Sequence, residues 1–331
     1  MRMVMFSNGG AVLMQAGFAR LRRFCAIGLS TFAVLGAPLS VAAEPLKVVA
    51  SFSILGDMVK VIGGENVQVT TLIGPNVDAH SHEPTASDSR VLADANVVVM
   101  NGLGFEAWMP RLMRASGFKG HEIVASTGVT PRQLDHDHDH DHGHSHGHDD
   151  KADGAASVDP HAWQDLRNGV KYARNIANGL SRVDPVNRAG YQARADIYVT
   201  EMEKLHNEIR QSLAAIPAER RKVVTPHDAF GYFGQAYDIT FVPVAGLASD
   251  AEPSARDIAR LIREIKKTKS AALFTEKALS SRVINQIARE TGAKVGGTLY
   301  ADTLDVTDRP AGTYLGMFKW NAGQLIFSLK P

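Results

Sequence analysis

The chain has 331 residues, of which 44% are hydrophobic and 21% are charged, a composition typical of a soluble globular protein with room for two domains. The 36 Lys and Arg residues nearly balance the 35 Asp and Glu residues, which disfavours nucleic acid as a partner. The single cysteine, Cys25, excludes a disulfide framework and a four-cysteine zinc site.

The first 43 residues have the features of a secretory signal peptide. A cluster of three arginines within residues 20–23 precedes the apolar run 24–43, which ends in the small residues Val-Ala-Ala. We therefore expect residues 1–43 to be cleaved and the mature protein to be secreted. A transmembrane anchor is the alternative, although two glycines and a proline interrupt the run.

Downstream of residue 43, short β-branched segments alternate with helical patterns, which predicts an α/β fold with mostly parallel sheets. The predicted strands form two groups of four, so we expect two lobes, each with a four-stranded sheet flanked by helices. We place the N-terminal lobe at residues 44–184 and the C-terminal lobe at residues 218–331. The predicted strands are 47–52, 68–74, 96–102, 122–127, 222–226, 240–246, 271–276 and 294–300.

Residues 185–217, between the lobes, are predicted to form one long, rigid connector helix. Apolar side chains recur there at steps of three and four, from Tyr191 to Leu213, as on one face of an amphipathic helix. Pro185 at the entry and Pro217 just past the end are typical of helix boundaries. We expect such a helix to restrict the lobes to a small relative motion.

A low-complexity tract occupies residues 135–157 of the N-terminal lobe. It has almost no apolar side chains to offset its ordering entropy, so we predict a disordered loop. Its histidines alternate with Asp, Gly or Ser, which favours several weak metal sites over one defined geometry. These possible accessory metal ligands are His136, His138, His140, His142, His144, His146 and His148.

Four candidate metal ligands stand just beyond predicted elements, at the position where open α/β sheets bind their ligands. His80 and His161 belong to the predicted N-terminal lobe, and His227 and Asp302 belong to the C-terminal lobe. Taken singly, each has an ordinary interpretation as a loop, turn or helix-capping residue. Together, three imidazoles and one carboxylate would form a closed tetrahedral site that suits Zn²⁺ better than Mn²⁺ or Mg²⁺, which prefer oxygen ligands.

From about residue 45 to residue 331, the chain resembles the metal-binding substrate-binding proteins of bacterial ABC importers, specifically their zinc-uptake (ZnuA-like, cluster A-I) branch. Six segments carry this resemblance, in the order DAHSHEPTASD, DPHAW, TPHDAFGYFGQAYDI, EPSARDI, FTEKALSSRV and LYADTLD.

The resemblance implies a two-lobed periplasmic protein that captures Zn²⁺ in its cleft and delivers it to an inner-membrane ABC permease with its ATPase. A periplasmic zinc chaperone is a further candidate partner, and we expect a monomer. The family's metal-binding histidines fall on His80, His161 and His227, and its carboxylate falls on Asp302. Manganese-specific relatives tend to carry a glutamate at the position of His227.

Two further residues are possible accessory ligands. His82 stands where the family commonly has an aromatic residue, so it is an alternative ligand two positions from His80. Glu276 is typical of the family, and we expect it to support a ligand from behind, with direct coordination as the alternative.

Three other functions compete with zinc import. Import of manganese or another divalent metal is the nearest, followed by a metal-dependent adhesin or metal buffer and by a periplasmic zinc hydrolase. A hydrolase needs an open coordination position and a general base. The HExxH motif is missing, because Pro84 follows His82 and Glu83. We therefore expect no enzymatic activity.

Overall fold

Two parallel sheets organise the computed structural model, which describes residues 44–133, 158–246, 253–268 and 271–330. The first sheet has the order β2-β1-β3-β4 and consists of β1 (Leu46–Phe52), β2 (Val67–Ile73), β3 (Val97–Met100) and β4 (His121–Val124). The second has the order β10-β9-β7-β8 and consists of β7 (Lys222–Thr225), β8 (Thr240–Pro243), β9 (Ala271–Glu276) and β10 (Val295–Leu299).

All neighbouring strands within these two sheets run parallel, which requires a crossover between them. The crossovers are helical, and the predicted α/β fold is confirmed. The helices are α1 (Ser53–Gly63), α2 (Ala86–Ala93), α3 (Met109–Ser116), α4 (Leu166–Val183), α5 (Arg188–Ala214), α6 (Gly231–Tyr237), α7 (Ala255–Thr268), α8 (Arg282–Thr291) and α9 (Tyr314–Leu329). Within the described ranges, none of them combines the length and apolar character needed to cross a bilayer.

The first sheet is covered on both faces, which explains why β1 and β3 are apolar along their length. Val48 and Val97 belong to one core, together with side chains of α1 and α4. The alternate residues Val49 and Val98 belong to a second core, against α2 and α3. Because successive side chains of a strand point to opposite faces, a continuous apolar run is what a doubly covered sheet requires.

The connector helix α5 runs along both lobes, as predicted. The predicted stripe from Tyr191 to Leu213 is buried, and α5 packs against α1 and α4 of the first lobe and against α6 and α9 of the second. A short 3-10 turn, Pro185–Asn187, precedes the helix. The largest core contains residues of both sheets and of α5, so the two lobes share one continuous apolar interior.

A two-stranded antiparallel ribbon, which the sequence did not predict, joins β5 (Arg132–Gln133) to β6 (Val158–Asp159). The ribbon brackets the histidine-rich tract in sequence. The disorder and accessory ligands predicted for that tract concern residues outside the described ranges, as does the predicted signal peptide at residues 1–43.

Candidate metal centre

The four predicted ligands converge where the two sheets face each other. His80 follows β2, His161 follows β6, His227 follows β7 and Asp302 follows β10. One nitrogen or oxygen atom from each lies within 4.8 Å of all the others. The carboxyl ends of parallel strands meet at one edge of a sheet, so two facing sheets bring their loops to a common point. Among the described residues, this is the one group of three or more such side chains.

The donor atoms are packed closely around the Asp302 carboxylate. Its Oδ2 lies 3.0 Å from His227 Nε2 and 3.2 Å from His80 Nε2, and its Oδ1 lies 3.4 Å from His161 Nε2. His80 Nε2 and His161 Nε2 are 3.3 Å apart. All three imidazoles therefore turn the same ring nitrogen, Nε2, toward the carboxylate.

Burial differs among the four side chains. His161, His227 and Asp302 are buried, whereas the His80 side chain remains 12% exposed. The centre is therefore closed on three sides, and solvent reaches it beside His80.

A carboxylate behind each of two imidazoles orients the ring. His161 Nδ1 lies 2.8 Å from Asp159 Oδ1, which also accepts a hydrogen bond from the His161 backbone N–H. His227 Nδ1 lies 2.7 Å from Glu276 Oε2, an ion pair whose angle lies outside the hydrogen-bond range. A proton held on Nδ1 by the carboxylate leaves the Nε2 lone pair directed at the centre, an arrangement common in metal sites.

Electrostatics of the centre favour an ionised carboxylate and a readily charged imidazole. Burial alone would lower the pKa of His227, but the carboxylates of Glu276 and Asp302 raise it well above the ordinary histidine value. Burial would raise the pKa of Asp302, but the neighbouring His161 and His227 hold it well below the ordinary aspartate value. Asp302 Oδ1 is buried without a hydrogen-bond partner, as expected of an atom that awaits a cation.

Aromatic rings line the N-terminal side of the centre. The edge of Phe105 packs against His80 with ring centroids 5.1 Å apart, and Trp163 packs against His161 at 5.2 Å. Both aromatic side chains are buried. These ring contacts restrict the rotamers of the His80 and His161 imidazoles.

The two predicted accessory residues lie outside the group of four. His82 packs against Trp108 with ring centroids 4.8 Å apart, and its Nε2 is 3.6 Å from Asp88 Oδ2. Glu276 contacts His227 from the side opposite to Asp302, which places it behind the ligand atoms.

The capping alternatives for the histidines find no support. Asp165, not His161, caps α4, because its side chain accepts the Arg167 N–H. Helix α6 begins at Gly231, four residues after His227, without a side-chain cap.

Sequence reasoning missed two supporting residues, Asp159 and Arg132. Arg132 Nη1 lies 2.9 Å from Asp159 Oδ2, so the guanidinium holds the carboxylate that orients His161. The D-x-H spacing of Asp159 and His161 was a usable indication. The link to Arg132 was not visible, because 27 residues separate it from Asp159.

The four side chains form a donor set of the kind that holds a metal ion. Four protein donors are as many as a closed tetrahedral zinc site uses, whereas catalytic zinc sites keep a position open for water or substrate.

The chain is similar to known proteins of metal transport. The family model for ZnuA, described as zinc-uptake complex component A, periplasmic, matches residues 48–326. The manganese-binding lipoprotein MntA of Halalkalibacterium halodurans is 31% identical over 287 residues, covering 86% of this chain and 89% of MntA. The metal ABC transporter substrate-binding lipoprotein SloC of Streptococcus mutans is 29% identical over 288 residues, covering 85% of this chain and 89% of SloC.

Among solved structures, the periplasmic zinc-binding protein TroA of Treponema pallidum superposes with a TM-score of 0.78 at 26% sequence identity. The match covers 87% of this chain and 100% of the TroA chain. The two proteins therefore share one fold over nearly all of the part that the structure describes.

Proposed function

This chain belongs to the ZnuA family of metal ABC importer substrate-binding proteins, and we propose that it captures Zn²⁺ between its lobes and delivers it to an ABC permease. Members of this family are transport components that work with a membrane permease and an ATPase, and they are not enzymes. Family membership leaves three features of this chain to be proposed: which metal it binds, which residues bind the metal, and in which compartment the protein works.

The donor set is the observation that carries the proposal of zinc. Three imidazole nitrogens and one carboxylate lie within 4.8 Å of one another, with His161, His227 and Asp302 as its buried members and His80 at the opening. Zn²⁺ accepts such a four-coordinate set without a geometric penalty, whereas Mn²⁺ favours more oxygen ligands.

The formal charges around the centre suit a divalent cation. The carboxylates of Asp302, Asp159 and Glu276 lie against the imidazoles, and the guanidinium of Arg132 offsets one of these three charges. Net negative charge therefore remains at this largely buried site, and one Zn²⁺ would offset it. In the metal-free protein, a proton on the His227 imidazole would take over part of that role, in line with the raised pKa of His227.

Location and partners follow from the same proposal. We assign residues 1–43 to a cleaved signal peptide, and we place the mature protein in the periplasm as a monomer beside the permease. The metal would be bound jointly by the two lobes, which the connector holds together. The N-terminal lobe is 44–184, the connector is 185–217 and the C-terminal lobe is 218–331. A periplasmic zinc chaperone is a further proposed partner.

The histidine-rich tract is proposed to add weak accessory sites. Deletion of residues 135–155 removes seven of the 13 histidines and none of the four proposed ligands. The shortened protein is expected to keep one tight zinc per chain and to lose the additional weak equivalents, counted by metal analysis after equilibrium dialysis. Loss of the tight zinc would show that the tract supplies a primary ligand.

Manganese import is the second candidate, because MntA, a relative that covers most of this chain, is named as manganese-binding. The single carboxylate among the four donors argues against it. The variant His227→Glu would add a second carboxylate, at the position where manganese-specific relatives of the zinc-uptake branch tend to carry a glutamate.

Competition with a calibrated chelator distinguishes the two metals. We expect the parent protein to bind one Zn²⁺ at least 100-fold more tightly than Mn²⁺, and we expect His227→Glu to narrow that ratio. His161→Ala is expected to abolish tight binding, whereas His121→Ala, a histidine at the exposed start of β4, is the matched control and should bind like the parent. Preference of the parent for Mn²⁺, or tight zinc binding by His161→Ala, would overturn the proposal.

A further inference from the structure

Asp302 belongs to the C-terminal lobe by sequence, yet the residue before it is held by the N-terminal lobe. The Ala301 carbonyl accepts hydrogen bonds from Trp163 Nε1 at 2.9 Å and from Gln164 Nε2 at 2.6 Å. Trp163 and Gln164 lie in the turn that directly follows His161, and both are fully buried. The chain entering Asp302 is therefore tied to the loop that carries His161.

The residues after Asp302 are held by the N-terminal lobe as well. Asn76, four residues before His80, donates its backbone N–H to Thr303 Oγ1 at 2.8 Å and its side-chain amide to Asp305 Oδ1 at 3.2 Å. Leu304 donates its N–H to Ser53 Oγ, at the start of α1, at 3.0 Å. The φ of Asn76 is +61°, a left-handed conformation that asparagine tolerates and most residues avoid.

His227 is held differently. Its backbone N–H donates to Glu276 Oε1 and its carbonyl accepts from Thr225 Oγ1, both within the C-terminal sheet. The described hydrogen bonds that link its neighbourhood to the N-terminal lobe pass through one group, the Tyr232 hydroxyl. This hydroxyl accepts the Arg132 N–H at 2.8 Å and donates to the Asp159 carbonyl at 3.2 Å.

We infer that the four ligands divide three to one, with His80, His161 and Asp302 moving as one half-site and His227 alone moving with the C-terminal sheet. This inference rests on the proposed function, because it assigns His227 as the ligand that closes over the metal and leaves it on release. Trp163, Gln164 and Asn76 are then positioning residues for Asp302.

The physical reason is the relative strength of the connections. When the C-terminal sheet tilts, the His227 side is linked to the N-terminal lobe through one hydroxyl, whereas several hydrogen bonds on both sides of Asp302 resist separation. A metal that loses His227 keeps three ligands, one of them anionic, and exposes a coordination position to water or to an acceptor. Release of the metal then begins when the bond between His227 and the metal breaks, before the other three ligands dissociate.

Pulsed electron–electron distance measurements test the division. In a Cys25→Ser background, spin labels are placed in pairs at exposed positions: Arg114→Cys on α3 with Thr307→Cys beyond Asp302, and Arg114→Cys with Arg289→Cys on α8. Each pair is measured with saturating Zn²⁺ and after removal of the metal by a chelator. We expect the 114–289 distance to shift on metal removal and the 114–307 distance to stay constant.

A shift of equal size in both pairs would show that Asp302 moves with the C-terminal sheet and would overturn the inference. A constant distance in both pairs would also overturn it, because the sheet would then not move. Zinc affinity is measured on the same labelled proteins. Failure to bind zinc tightly would overturn the proposed function itself, whereas tight binding with equal shifts would overturn the three-to-one division alone.

A variant with weakened links provides the matched comparison. Gln164→Met removes one donor to the Ala301 carbonyl, and Thr303→Val removes one of the two acceptors of the Asn76 N–H, the other being the Leu304 carbonyl. In the double variant we expect the 114–307 distance to shift on metal removal and zinc to dissociate faster. Tyr232→Phe, which removes a hydroxyl on the His227 side, should leave the 114–307 distance constant. A constant 114–307 distance in the double variant would refute the role of these links.

Discussion

The variant Asp57→Asn should gain stability relative to the parent protein as the pH rises, measured as the difference between their free energies of unfolding. Asp57 lies on α1, and its Oδ2 accepts the backbone N–H of Tyr314, the first residue of α9, at 2.8 Å. The carboxylate therefore joins the N-terminal lobe to the start of the last helix. Burial raises its pKa from 3.8 to about 6, against the opposing effects of the Tyr314 hydrogen bond and of Lys60.

The direction of this pH dependence follows from how many protons Asp57 binds in the folded and in the unfolded protein. Between pH 3.8 and about pH 6, the folded protein keeps the proton on Asp57 while the unfolded chain has lost it. The free energy of unfolding therefore falls as the pH rises through this interval and stays constant above it. Because one pKa unit corresponds to about 1.4 kcal/mol, the full loss is about 3 kcal/mol.

Asp57→Asn keeps an acceptor for the Tyr314 N–H and has no such titration. The unfolding free energy of the variant minus that of the parent should therefore rise by about 2 kcal/mol between about pH 4.5 and pH 6, then level off. Urea denaturation of the metal-free proteins, followed by circular dichroism and by tryptophan fluorescence, gives this difference at each pH. Titrating groups that the two proteins share contribute equally to both unfolding free energies and therefore cancel in the difference.

Asp308→Asn, on an exposed loop, removes one negative charge without disturbing a buried contact and is the control. A stability difference for Asp57→Asn that stays constant with pH, or that shrinks as the pH rises, would refute the reasoning. It would show that the carboxylate is ionised in the folded protein at the same pH as in the unfolded chain.

Three further results are expected for the metal centre. Glu276→Gln should weaken zinc binding about 10–100-fold in chelator competition, because the orienting charge behind His227 is lost; unchanged affinity would contradict that role. Gly231→Ala would place a methyl group 2.2 Å from Arg132 Nη1, so the guanidinium must leave Asp159. We expect weaker zinc binding with an intact circular dichroism spectrum, and parent-like affinity would count against the Arg132 link. Zinc affinity should also rise with pH beyond the ordinary histidine range, because zinc must displace a proton from His227, whose pKa is raised; a titration with an affinity independent of pH would exclude this competition.

The sequence alone was sufficient to predict the eight strands of the two parallel sheets and the connector. Doubly covered strands such as β1 and β3 are apolar on both faces, so their β-branched runs stand out from the helical segments between them. The stripe on α5, from Tyr191 to Leu213, repeats with the helical period over about six turns, which few other structures would produce. These patterns are local, because the spacing of apolar residues within one helix or strand is enough to show which of its faces is buried.

The ribbon β5–β6 shows where local patterns end. Each strand has two residues, too few to display a period. His82 and His80 are a second case, since two histidines in one loop are equivalent in sequence. The Trp108 ring and the Asp88 carboxylate contact His82, whereas His80 reaches the other donors, and this separation is tertiary.

The candidate ligands could be chosen from the sequence because the ends of parallel strands are where such a fold gathers its loops. Which groups orient and hold those ligands was decided by tertiary structure alone. Trp163 and the Ala301 carbonyl are 138 positions apart, and Ser53 and the Leu304 N–H are 251 positions apart. No periodicity relates such pairs, because they meet only after both sheets have folded and the lobes have packed along α5. The sequence was therefore sufficient for the two groups of strands, the connector and the candidate ligands, whereas the packing between the lobes decided which distant groups hold the residues on either side of Asp302.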